Sequence, residues 1–82
     1  MTTEGETWVR GTVLWFDTGK GFGFLEAAEY PGGVFVEYSS IDSPGFKTLT
    51  AGQPVVFTCA VRPRGVEAVA VRPVALLSSS AA

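Results

Sequence analysis

Turn signals fall so often along this chain that little room is left between them for a helix. Ten glycines and five prolines punctuate 82 residues, and these two residue types are the strongest local interrupters of regular structure. Between them lie short runs rich in β-branched and aromatic residues, with no sustained helical period. The strand-like runs are Trp8 to Phe16, Phe22 to Glu26, Val34 to Tyr38, Val55 to Val61 and Val66 to Arg72. Gly11 interrupts the first run and marks a bulge or bend there. DTGKG at 17–21 has the composition of a turn. AEYPGG at 28–33 reads as a longer loop, Ser39 to Ile41 as one helical turn, and Ser43 to Gly52 as a long loop. RPRG at 62–65 is a tight turn, and Pro73 stops the last strand.

Five short strands, with the long connection between the third and fourth, predict an all-β fold. The expected architecture is a five-stranded antiparallel Greek-key barrel of the OB type. The chain is one small domain, and a domain of this size buries only about 60–65% of its unfolded surface. We expect residues 1–7 to be a flexible N-terminal segment, 8–74 the folded domain, and 75–82 a flexible tail.

Composition narrows the function. The chain is 46% hydrophobic, too apolar for a disordered protein. It has one cysteine, Cys59, and no histidine, so neither an internal disulfide nor a structural zinc site is expected. Cys59 reads as a small apolar strand residue. Histidine, the commonest general base, is absent, and no spacing singles out a carboxylate pair, so no enzyme is expected. No cofactor is expected either. No leader-like apolar run opens the chain, and none approaches the roughly 18 residues of a spanning helix. A cytoplasmic protein without membrane contact is the expectation. The net charge is −2, which argues against a protein that holds duplex DNA by phosphate neutralisation. It leaves open a single-strand binder that works by stacking, worth about 1–3 kcal/mol per base.

KGFGFLEAAEYPGGVFVEY, residues 20–38, raises the question of which face the aromatics occupy. Side chains alternate across a strand. Val34 and Val36 share one face and are good core material, which leaves Phe35 and Glu37 outside. In the second strand Phe22 and Phe24 share a face, and an inward Leu25 would leave both on the surface. Strict alternation puts Val13 and Trp15 on one face, although Gly11 or coiling of the strand could rotate them.

GTVLWFDTGKGFGFLE, GGVFVEYSSIDSPGFKTLTAGQPVVF and the final RG turn resemble the bacterial cold-shock proteins of the cold-shock domain family. KGFGF is similar to the family's first ribonucleoprotein motif, and VFVEY to its second, usually VFVHF. The resemblance runs from about Gly11 to Val71. It implies an OB barrel that binds single-stranded RNA and DNA through stacked aromatics, often at pyrimidine-rich segments, and acts as an RNA chaperone. It also implies a stacking set of Trp15, Phe22, Phe24, Phe35 and Phe46, with Tyr38 ending the second motif and Phe16 flanking the platform. Lys20 matches a phosphate-facing lysine, and Arg64 a basic position near the final turn. A monomer is expected, a strand-exchanged dimer being the other arrangement a small barrel allows.

The departures lie on the same face. Glu37 replaces a base-stacking histidine, Asp17 a neutral polar residue, Leu14 a lysine and Gly33 an acid. The 28–33 loop is about one residue longer than in short bacterial members, and Tyr30 within it is expected to cap it rather than reach over the platform. Glu37 has three readings. It weakens binding, because a carboxylate near a phosphate costs on the order of 1 kcal/mol in water and a stack is lost. It pairs with Lys20 or Arg64. Or it accepts a hydrogen bond from a base amino group. Loss of affinity ranks first. Beside the single-strand binder stands a second hypothesis, an OB-type protein-interaction module whose nucleic-acid face has degenerated, favoured by Glu37, Asp17, Leu14 and the acidic balance.

Overall fold

The computed structural model describes residues 7–45 and 47–74. Five strands follow in order: β1 (Val9–Asp17), β2 (Phe22–Ala27), β3 (Tyr30–Glu37), β4 (Pro54–Arg62) and β5 (Gly65–Pro73), with one 3-10 turn, Tyr38–Ser40, after β3. They hydrogen-bond in the order β1-β2-β3-β5-β4, and β4 returns to β1 to close a barrel. The fold is the all-β, five-stranded OB-type barrel that the sequence predicts. It is not wholly antiparallel: β3 and β5 run parallel, joined by a bridge from Phe35 to Glu67.

Alternation along each strand fills the interior. Leu25, Val34, Val36, Val55, Phe57 and Val71 have no exposed surface, and each such side chain contributes about 1.5–3 kcal/mol by leaving water. Phe16, Tyr30, Cys59 and Val66 pack against this core from its rim. Val34 and Val36 therefore point in and leave Phe35 and Glu37 facing out, as expected. Cys59 is a half-buried strand residue.

Several boundaries differ from the sequence reading, each for a local reason. The bulge in β1 lies at Leu14, between Val13 and Trp15, and not at Gly11. Gly11 pairs regularly with Val55; its role is close approach, since a Cβ there would stand 2.5 Å from the Glu26 carbonyl oxygen. The expected 28–33 loop is mostly strand. Only Ala28 and Glu29 turn the chain, and the extra residues Pro31–Gly33 are absorbed as an irregularity opposite β2. Gly33, at φ +92°, makes that irregularity accessible. Tyr38 leaves the strand and begins the 3-10 turn, one residue earlier than Ser39 to Ile41 suggested.

Gly23 is the tightest point. It faces inward opposite Phe16, and a Cβ on it would overlap the Trp15 carbonyl oxygen and stand 2.7 Å from the Phe16 Cα. Both obstacles are backbone atoms, which cannot swing away.

Two substitutions test this packing by chemical unfolding. Val36→Ala is expected to cost about 1–3 kcal/mol through the cavity it leaves. Gly23→Ala is expected to cost about 2–3 kcal/mol or more, because β1 and β2 must separate to admit one methyl group. An unfolding midpoint unchanged in Gly23→Ala would show that the two strands are not held this closely.

Candidate nucleic-acid interface

The bulge at Leu14 builds the site. Without it, Trp15 would follow Val13 into the barrel. The extra residue shifts the alternation, so Val13 is buried while Trp15 is 44% exposed. Across the sheet Trp15 then lies opposite Phe24, and Phe24 opposite Phe35. Phe22, two residues from Phe24, shares its face.

Four rings meet there in a closed cycle. The centroids lie 5.9 Å apart for Trp15 and Phe22, 5.7 Å for Trp15 and Phe24, 5.8 Å for Phe22 and Phe35, and 5.7 Å for Phe24 and Phe35. These are favourable edge and tilted separations. Every ring touches two others, so each is held in place while one side stays open. Such a surface supports flat apolar groups.

Phe16 falls on the other side of the strand. The same bulge turns it inward against the core, away from the four rings. Tyr38 is 56% exposed and lies over the 17–21 turn, where Gly21 at φ +80° leaves room: a Cβ there would stand 2.9 Å from the Tyr38 ring. The Tyr38 backbone N–H donates to the Gly21 carbonyl at 2.8 Å. Phe46, expected in the stacking set, lies outside the described residues. Tyr30 stays off the platform. Its ring packs 6.5 Å from Phe57, and a hydrogen bond to the Cys59 side chain, with that group's charge, holds its phenol above the usual tyrosine range.

One groove borders the rings and another lies at the 17–21 turn. One, of about 510 Å³, is lined by Phe24, Gly33, Phe35, Arg62 and Arg64 among others. The other, of about 430 Å³, is lined by Lys20, Gly21, Tyr38 and Lys47. Lys20 and Arg64 thus line different grooves. Arg62 and Lys47 were not singled out from the sequence. Lys47 lies within the GFKTL stretch, and only the long loop's path brings it beside Lys20; its Nζ donates to the Ser43 carbonyl at 2.6 Å.

The acids behave differently from one another. Asp17 is used by the turn: its Oδ1 accepts from the Lys20 backbone N–H at 2.9 Å, an Asx-type arrangement. Glu67 accepts from Arg62 Nε at 2.9 Å. Glu37 is exposed, stands directly across from Phe22, and makes no ion pair among the described residues; the pairing with Lys20 or Arg64 considered above is not formed. Trp8 is remote from the rings and lies under Arg72, 4.7 Å from its guanidinium carbon. Among the described residues no cluster of three metal-ligating side chains is present, and no helix is long and apolar enough to cross a membrane.

Comparison with known proteins bears on the same stretch. The family model described as 'Cold-shock' DNA-binding domain matches residues 9–74. The chain is 42% identical over 65 residues to the probable cold shock protein A of Mycolicibacterium smegmatis, covering 79% of this chain and 97% of that protein. It is 49% identical over 59 residues to the cold shock protein CspC of Bacillus subtilis, covering 72% and 88%. The solved structure titled drosophila Unr CSD456 shares the fold at a TM-score of 0.71 and 20% identity, over 92% of this chain and 30% of that one. With the barrel, both sequence motifs and the family match falling on the same residues, this chain belongs to the cold-shock domain family.

Proposed function

We propose that this protein binds single-stranded RNA and DNA by stacking bases on Trp15, Phe22, Phe24 and Phe35, and that it acts in the cytoplasm as a monomeric RNA chaperone. The observation that carries the reading is the closed cycle of four rings held on the outside of the barrel. A chain that needed these aromatics only for stability would bury them; here the interior is filled by aliphatic side chains, Phe57 and Thr58. Each base laid on such a ring contributes about 1–3 kcal/mol without sequence readout. A strand kept on the platform cannot pair with itself, and that is how a stacking surface keeps a transcript open. The family resemblance adds pyrimidine-rich strands as the preferred ligand. No reaction is proposed, since a binder of this kind needs none.

Charge sets how firmly the backbone is held. Lys20 and Lys47 on one side, and Arg62 and Arg64 on the other, offer phosphate contacts at the ends of the platform. Arg62 is partly committed to Glu67. Glu37, which makes no ion pair among the described residues and lies across from Phe22, opposes them. The second reading, a protein-interaction module, is favoured by that same unpaired acid on an apolar surface. Salt separates the two, because phosphate contacts release counterions and an apolar interface does not.

Fluorescence quenching of Trp15 by a short oligothymidine, at two salt concentrations, tests the reading, with Trp8 as background. Saturable quenching is expected, with log affinity falling by about 0.7 per phosphate contacted as log salt rises. Two or so contacts imply a shallow slope, between about −1 and −2. Glu37→His is expected to tighten oligothymidine binding about tenfold or more, by removing a charge and restoring a stack. Absence of quenching in both proteins would favour the protein-interaction module.

A further inference from the structure

Glu37 lines a cavity of about 210 Å³ beside the platform, with Phe35, Ser40, Arg62, Glu67, Ala68 and Val69 around it. The polar groups of this cavity are mostly in use. Glu67 accepts from Arg62 Nε at 2.9 Å, and the Ser40 hydroxyl donates to the Ala68 carbonyl at 3.2 Å. The Glu37 carboxylate has no hydrogen-bond or ion-pair partner among the described residues. It therefore presents two free acceptor oxygens at the edge of a stacking surface. Phe22 is its direct cross-strand neighbour, and Phe35 lies two residues earlier on the same face. A base resting on either ring brings its edge within reach of that carboxylate.

An acceptor-only group chooses among bases by their donors. A carboxylate is satisfied best by two parallel N–H groups. The Watson–Crick edge of guanine has them, N1–H beside the N2 amine. Thymine and uracil present one N–H between two carbonyl oxygens, which oppose a carboxylate. Cytosine and adenine each present one amine beside an unprotonated ring nitrogen. These edges are free in a single strand, where splayed bases are read on them. Guanine also carries the acceptor O6, and Arg62, which lines the same cavity, gives only its Nε to Glu67 and keeps its other guanidinium donors.

We propose that Glu37 is a specificity-determining residue that selects guanine at one nucleotide position of the bound strand. The inference rests on the single-strand reading above and refines it: the same acid that opposes a thymine strand holds a guanine. At that one position the protein departs from the pyrimidine preference that its resemblance implies.

The test is a scan by Trp15 quenching. Oligothymidine is compared with strands carrying one dG at each position in turn, and with strands carrying deoxyinosine, which lacks the N2 amine. One position is expected to bind roughly 5- to 150-fold tighter with dG than with dT, the span of a good bidentate contact. Deoxyinosine at that position is expected to lose most of the gain. Glu37→Gln, which replaces one acceptor with a donor, is expected to abolish the preference; the residue is exposed, so an unchanged unfolding midpoint confirms an intact fold. Binding of oligothymidine with a flat dG scan overturns the guanine assignment and leaves the single-strand reading standing. A preference for dG that survives Glu37→Gln overturns the role of Glu37. Quenching by no strand, in either protein, overturns both readings.

Discussion

The absence of a side chain at Gly23 is the constraint on which the site depends. It lets the backbone of β2 lie directly under Trp15 and Phe16, and that close approach fixes the register of β1 against β2. With the register fixed, the bulge at Leu14 can act in one direction only: Val13 stays inside and Trp15 goes outside. One extra residue in one strand thus converts a run of apolar side chains into a core on one face and an aromatic surface on the other. The cost is an unpaired residue, Leu14, left exposed at 46%.

This division of labour lets the two faces be tuned separately. Stability resides in the inward residues, which interlock at the density of any protein interior. The outward rings contribute mainly through one another, by about 0.5–1.5 kcal/mol for each well-placed aromatic pair. A substitution on the outer face, at Glu37 for example, can therefore change that face without disturbing the barrel. Asp17 illustrates the contrary case. It lies across from Phe22 on the neighbouring strand, yet its carboxylate closes the turn that presents Lys20, so its charge is partly committed to structure.

Much of this was legible in the sequence. Strand number and the inward pair Val34 and Val36 follow from period-two alternation and from where Gly and Pro fall. The platform members Phe22, Phe24 and Phe35 follow from alternation once Leu25 is assigned to the core. Trp15 does not, because a bulge shifts the period and leaves no compositional mark; Gly11 carries the usual mark and forms no bulge. Phe16 reads as a platform neighbour beside Trp15, yet the same shift turns it inward. β3 begins at Tyr30 because an irregular strand absorbs Pro31 and two glycines, residues that in sequence signal a loop. Lys47 and Arg62 escaped notice because their relevance lies in distance across the barrel, which no local pattern encodes. That Glu37 makes no ion pair among the described residues is likewise a fact of geometry: neither Lys20 nor Arg64 comes within bridging distance of it.

The central claim is that the four rings serve a ligand rather than the fold. Phe22→Ala tests it most directly, with unfolding free energy and affinity for a short oligothymidine measured on the same preparation. The account predicts that affinity falls about tenfold or more, since one stack is worth about 1–3 kcal/mol, while stability falls less than in Val36→Ala. A variant that unfolds readily but retains its affinity would contradict it, and would place Phe22 in the core.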